Sequence, residues 1–220
     1  MSEKFTVAHL DELTPEEGDE GARWFRLRRD LDVGAFGVNA YGADAGNRVI
    51  EEHDELGSGA GRHEELYLVL RGSARFRLGG DEVRLGPQEM VFIRDPSVRR
   101  GAIAEEDGTV VLVIGGQPGR AYEVSTWEQA ADAFPHWRKG DYETAVQILQ
   151  RVADEHPEAA SVLYNLACAE TLKGDHEQAL EHLRQSIELE KRFRELAMKD
   201  EDFDAVRERH EFRELVGSEA

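Results

Sequence analysis

Cysteine is almost absent from this chain of 220 residues, where Cys168 stands alone. No internal disulfide can form, so packed cores must hold the fold, as expected in a reducing cytoplasm. Long apolar runs are missing too, and no stretch approaches the ~20 residues of a membrane-crossing helix. The opening residues, MSEKFTVAHLDELTPEEGDE, show no basic start followed by an apolar stretch, so no secretory signal is expected. Positive charge is scarce: 27 Lys and Arg stand against 46 Asp and Glu, a formal net charge of −19. Such a surface repels phosphate backbones and anionic lipid, which argues against nucleic-acid and membrane partners. The excess is shared, with 23 acids and 15 bases before residue 123 and 23 acids and 12 bases from Glu123 onward. Neither half therefore hides a basic binding face. A hydrophobic content of 40% is ample for packed cores.

Glycine is scarce only in the second half. Of 21 glycines, all but three precede residue 123. The first half reads as short strands separated by turn signals. The runs Arg23–Arg29, Ala35–Tyr41, Arg48–His53, Glu64–Leu70, Ala74–Leu78, Glu82–Leu85, Met90–Ile93, Arg100–Ala104 and Thr109–Gly115 are predicted strands. Gly57–Gly61, Arg71-Gly72-Ser73, Gly79-Gly80-Asp81, Gly86-Pro87 and Asp107-Gly108 punctuate them, and a hairpin is expected at Gly79-Gly80. Regular spacing of this kind predicts an antiparallel sandwich or barrel. Arginines in Arg26-Leu-Arg28-Arg29 and Arg75-Phe-Arg77 alternate with apolar residues and are expected to face solvent.

The second half repeats itself. Gly140-Asp141-Tyr142 and Gly174-Asp175-His176 lie 34 residues apart, and the pairs Ala133/Ala167 and Ala145/Ala179 keep that offset. Over about Thr126–Arg194 the segment resembles tetratricopeptide repeats, helix–turn–helix units of that period. Pro135 falls inside the first leading helix and should shorten or kink it. Asp202–Val216 is expected as a final helical element, with Phe203, Val206, His210, Phe212 and Leu215 as its buried contacts. Two units and a cap fall short of the three or so that a solenoid usually needs. The helices should then bury a face against the barrel or another subunit. Cys168 should be packed, and His136, His156, His176, His182 and His210 show no ligand spacing.

His63-Glu-Glu-Leu-Tyr-Leu-Val-Leu-Arg-Gly72 resembles the end of the first cupin motif, with Glu65 seven residues before Gly72. Leu85–Arg100 resembles the second motif, and the likeness covers roughly Val33–Gly115. The resemblance implies an α+β protein of two domains: a cupin-like jelly-roll β-barrel over residues 1–122 and a helical-repeat domain over 123–220. It also implies a pocket between the sheets. The chain departs from metal-binding cupins where they carry histidines. Gly59 and Gly61 hold the paired positions, and Arg100 or Arg99 the one in the second motif. Arginine cannot ligate a divalent cation, so the usual four-ligand site is not expected.

Several readings follow. In the first, a metal-free pocket lined by His53, His63, Glu65, Tyr67, Arg100 and Asn39 binds or senses an anionic small molecule, with Arg100 matching the anion. In the second, His53, His63 and Glu65 bind iron, manganese or zinc in an enzyme of dioxygenase or isomerase type. His63 and Glu65, two apart on a strand, share a face. In the third, the repeats bind a protein partner or serve as a structural arm, and the barrel is a scaffold. A plainer alternative pairs His63 and Glu65 with Arg100 as a buried ionic network. A cytoplasmic homodimer is expected.

Overall fold

The computed structural model describes residues 5–18, 21–56 and 60–217. The chain divides after Glu123 into two compact units.

The first unit is built from β1 (Glu16–Glu17), β2 (Arg23–Phe25), β3 (Gly37–Ala43), β4 (Arg48–His53), β5 (Glu64–Arg71), β6 (Ala74–Leu78), β7 (Asp81–Leu85), β8 (Met90–Ile93), β9 (Arg100–Ala104) and β10 (Thr109–Gly116). They form two antiparallel sheets, ordered β1-β2-β3-β10-β5-β8 and β4-β9-β6-β7. The core lies between them. Tyr67, Val69, Val111, Val113 and Ile93 of the first sheet pack with Ile50, Phe76, Ala102 and Ala104 of the second. Period-two alternation puts residues 65, 67 and 69 of β5 on the inward face. The strand that carries Tyr67 and Val69 into the core therefore also carries Glu65.

The expected strands over 48–53, 74–78, 90–93 and 100–104 have those bounds, and β6 and β7 turn at Gly79-Gly80, both at positive φ. The stretch Arg23–Arg29 differs from expectation. Its strand stops at Phe25, and α1 (Leu27–Asp30) follows as one helical turn. Arg26 is buried rather than solvent-facing, its guanidinium over the Trp24 ring and 3.1 Å from Glu16. Arg75 and Arg77 do face solvent.

The second unit contains α2 (Thr126–Ala130), α3 (Phe134–Arg138), α4 (Tyr142–Glu155), α5 (Ala160–Lys173), α6 (His176–Leu189), α7 (Arg192–Lys199) and α8 (His210–Val216). Pro135 opens α3, and a 3-10 turn over Ala131–Ala133 separates α2 from α3, as the missing proline N–H dictates. Gly174 ends α5 at φ +102°, a left-handed cap that glycine adopts without strain. The echoing alanines 133, 145, 167 and 179 are all fully buried, where small side chains let helices approach. α5 is buried nearly all round: Tyr164, Ala167 and Cys168 join one core, and Val162, Leu163 and Leu166 another. Phe203, Val206 and Phe212 are buried as expected. His210 is exposed instead, because it begins α8 with its ring toward solvent. Among the described residues, no helix is long and apolar enough to cross a membrane.

Candidate functional site

One group of buried charges spans the two sheets of the first unit. β4 pairs with β9 so that His53 lies opposite Arg100. Across the core, β5 supplies Glu65. Arg100 is 0% exposed, and its Nε donates to Glu65 Oε2 at 3.0 Å. Nη2 lies 3.0 Å from the same oxygen, without hydrogen-bond alignment. Nη1 donates to the carbonyls of Val98 (2.9 Å) and Pro96 (3.2 Å). Tyr67 O–H donates to Glu65 Oε2 at 2.6 Å, and His53 Nε2 stands 3.8 Å from that oxygen.

Glu55 completes the group. It follows β4 in a loop, where no strand periodicity announces it. Two backbone amides, of Gly61 (3.0 Å) and His63 (3.3 Å), donate to its Oε2 and close the loop on itself. Its Oε1 is 3.9 Å from His53 Nε2, and its Oε2 3.7 Å from His63 Nδ1. The one sequence signal for Glu55 is its place two residues after His53.

The electrostatics follow from burial. Burial alone would raise the Glu65 pKa, but the approach of His53, the Tyr67 hydrogen bond and the Arg100 charge together hold it below the usual value. Burial, and then repulsion by Glu65, pushes Glu55 up. Burial opposes charging of His53, yet Glu65 and the Glu51 carbonyl outweigh it and raise its pKa. Tyr67 is pushed well above the ordinary phenol value by burial and then by the Glu65 charge, so it stays a donor.

Donor atoms of His53, Glu55 and Glu65 lie within 4.8 Å of one another. His53 Nδ1 sits 2.7 Å from the Glu51 carbonyl. A carbonyl can only accept, so Nδ1 carries a proton and Nε2 is the ring atom that can ligate, the arrangement metal-binding histidines use. The donor set of one imidazole and two carboxylates therefore fits a divalent cation. Of the three ligands expected from sequence, His53 and Glu65 belong to this set, whereas His63 turns toward Glu55. The His63 ring fills the space of position 61: a Cβ on Gly61 would fall 2.0 Å from its Nε2. Gly59 lies outside the described residues.

The expectation that Arg100 matches an anionic ligand meets a different arrangement. The guanidinium is wholly buried and committed to Glu65 and two carbonyls. Asn39 lies on the inward face, in one cross-strand row with Val113 and Tyr67. Its Oδ1 is buried and has no hydrogen-bond partner among the described residues.

A second set of donors, Cys168, Asp200 and Asp202, lies in the helical unit. There Tyr164 O–H donates to Asp200 at 2.7 Å, and Cys168 Sγ is 3.8 Å from the same oxygen. Burial keeps the thiol protonated and packed.

Residues 137–192 match the tetratricopeptide repeat family model. Comparison with curated proteins gives no match. Among solved structures, a cupin protein from Bacteroides fragilis is 18% identical, with 56% of this chain and 94% of that one covered and a TM-score of 0.41. A sugar phosphate isomerase of the cupin superfamily from Silicibacter pomeroyi is 16% identical, with 51% and 76% covered and a TM-score of 0.43. A Cupin 2 conserved barrel domain protein from Salinispora arenicola is 17% identical, with 53% and 92% covered and a TM-score of 0.42. The chain is an α+β protein of two units, a pair of antiparallel sheets followed by helices, and the tetratricopeptide repeat match lies within the second.

Proposed function

We propose that the N-terminal unit binds a divalent cation through His53, Glu55 and Glu65 and, through that cation, a small oxyanion. The observation that carries this reading is a charge deficit. Two buried carboxylates face one guanidinium, and His53 Nε2 stands 3.9 Å from Glu55 and 3.8 Å from Glu65. Buried charges are costly unless compensated, and a cation at the three donors supplies the compensation. With a divalent ion in place the group carries a net positive charge, so an anionic ligand is attracted to the metal rather than to Arg100. Bound there, the metal would supply a Lewis-acidic point for an oxygen ligand. Arg100 and Tyr67 hold Glu65 in position. His63 and two backbone amides hold Glu55.

Calorimetric titration of the full chain with Zn²⁺ and Mn²⁺ tests this. One equivalent should bind, and Glu55→Gln should weaken binding at least tenfold, the usual consequence of losing a charged ligand. Wild-type protein that takes up neither ion overturns the reading.

The helical unit is read as an assembly or partner-binding region, a reading favoured by the repeat match over residues 137–192. Pull-down with the chain cut after Glu123, compared with the full chain, tests it. Capture of the same proteins by both forms would count against it.

A further inference from the structure

The two described sheets end in four edge strands, β1, β8, β4 and β7. An edge with open peptide groups invites another chain to pair with it, and charged side chains discourage that. Three of the four carry such charges. β1 is Glu16-Glu17, β4 exposes Arg48, Glu51 and Glu52, and β7 exposes Asp81, Glu82 and Arg84. β8, Met90-Val-Phe-Ile93, has neither a charge nor a proline. Its peptide groups alternate in direction. The Val69 amide donates to the Glu89 carbonyl at 3.1 Å, which sets the phase of the ladder. Val91 and Ile93 therefore bond to β5, and Met90 and Phe92 turn their N–H and C=O to the open side. The side chains of these same two residues stand on the outer face, 56% and 44% exposed.

A second exposed apolar pair lies near the N-terminus. Phe5 and Val7 are 77% and 86% exposed, and residues 5–9 form neither helix nor strand. Alternate residues of an extended segment share a face, so this pair has the spacing of Met90 and Phe92. The segment falls short of β8 in its own chain. Leu10 packs on Phe25, Ala40 and Val110, over β2, β3 and β10. The slot beyond β8 is three strand spacings from β10, about 14 Å. Val7 is three residues from Leu10, a span of at most about 11 Å.

We infer that the N-terminal segment of a second copy adds to β8 as an antiparallel strand, and that the exchange is reciprocal across a two-fold axis. Antiparallel is the orientation of every pair in this sheet. Phe5 then lies opposite Phe92, Val7 opposite Met90 and Thr6 opposite Val91. The open N–H and C=O groups of Met90 and Phe92 gain partners, and the four apolar side chains meet on one face. Those four expose roughly 500 Å², or about 1,000 Å² for two arms, against the about 1,200–2,000 Å² that a stable interface buries in total.

Sedimentation velocity at micromolar concentration tests this on the full chain and on a chain lacking residues 2–8. The full chain should run as a dimer. The shortened chain should run as a monomer with an unchanged far-ultraviolet circular dichroism spectrum, and Phe92→Glu should also run as a monomer. A proline at Val7 removes a donor aimed at β8, whereas one at Thr6 removes an N–H that points away. Val7→Pro should weaken the dimer at least tenfold, and Thr6→Pro should leave it as in wild type. A monomeric full chain overturns the proposal. A shortened chain that stays dimeric overturns the role of the arm, and equal effects of the two prolines overturn the strand pairing. Should Phe92→Glu fail to fold, a labelled peptide of residues 2–9 decides. It should bind the shortened chain and fail to bind the full-length dimer, and failure to bind the shortened chain overturns the β8 slot.

Discussion

Arg100→Met is the sharpest perturbation of the buried group. Methionine keeps much of the volume and removes the charge. Glu65 then loses its guanidinium, and the Val98 and Pro96 carbonyls lose their donor. Removing one member of a buried pair costs about 3–5 kcal/mol, because the other charge stays behind uncompensated. Domains of this kind are stable by about 5–15 kcal/mol in total, so the loss is a large share. Urea unfolding read by Trp fluorescence measures it. Trp24 reports the sheet unit once Trp127 and Trp137, which lie in the helical unit, are replaced by Phe. Glu65→Gln in the same chain removes the stranded charge, so the double variant should recover about 2 kcal/mol relative to additivity. The Arg100→Met chain should also bind Zn²⁺ about tenfold tighter, since a repelling charge beside the donors is gone. Destabilisation below about 1 kcal/mol, or strict additivity with Glu65→Gln, would refute the view that this pair compensates buried charge.

Other expectations concern the helical unit. Phe203 is fully buried against Tyr164 and Phe212, so Phe203→Ala should cost about 3–5 kcal/mol. A urea titration followed by Trp127 and Trp137 should show that loss while the Trp24 transition stays put. Gly174→Ala puts a Cβ on a backbone at φ +102° and should lower the stability of this unit by about 1 kcal/mol, read by thermal melting. Burial, and then the charges of Asp200 and Glu201, push Asp202 up to about 6 from 3.8. A folded pKa above the unfolded one means the linked stability is complete below pH 3.8 and lost as pH rises through 6. Asp202→Asn should retain it at neutral pH. The expected gain is about 1 kcal/mol after solvent screening, a few degrees of Tm. It should vanish below pH 4, and an equal gain at both pH values would contradict the electrostatic cause.

Some of the site was legible before any fold was known. Glu65 and Tyr67 share a face because strand side chains alternate, and His53 ends a strand whose bounds the sequence marks well. Glu55 was not legible. Its carboxylate is placed by two amides of a loop, and loop closure follows no periodicity. Arg26 misled for a related reason. Alternation with apolar residues suggests a solvent-facing strand, but the chain turns into a single helical turn there and folds the guanidinium onto Trp24.

The sequence by itself determined the two-part architecture. A two-residue period with glycine turns can bury one face only as a sheet, and a 34-residue echo of small residues can pack only as paired helices. Tertiary structure alone decided what Glu65 faces. Pairing of β4 with β9 puts His53 beside Arg100, and packing of the two sheets brings both to Glu65, Arg100 from 35 residues away. Cross-sheet proximity depends on which strands pair and in what register, and no local pattern encodes that. The same is true of Tyr122, whose ring comes close to Gly37 only because β10 carries the chain back along β3.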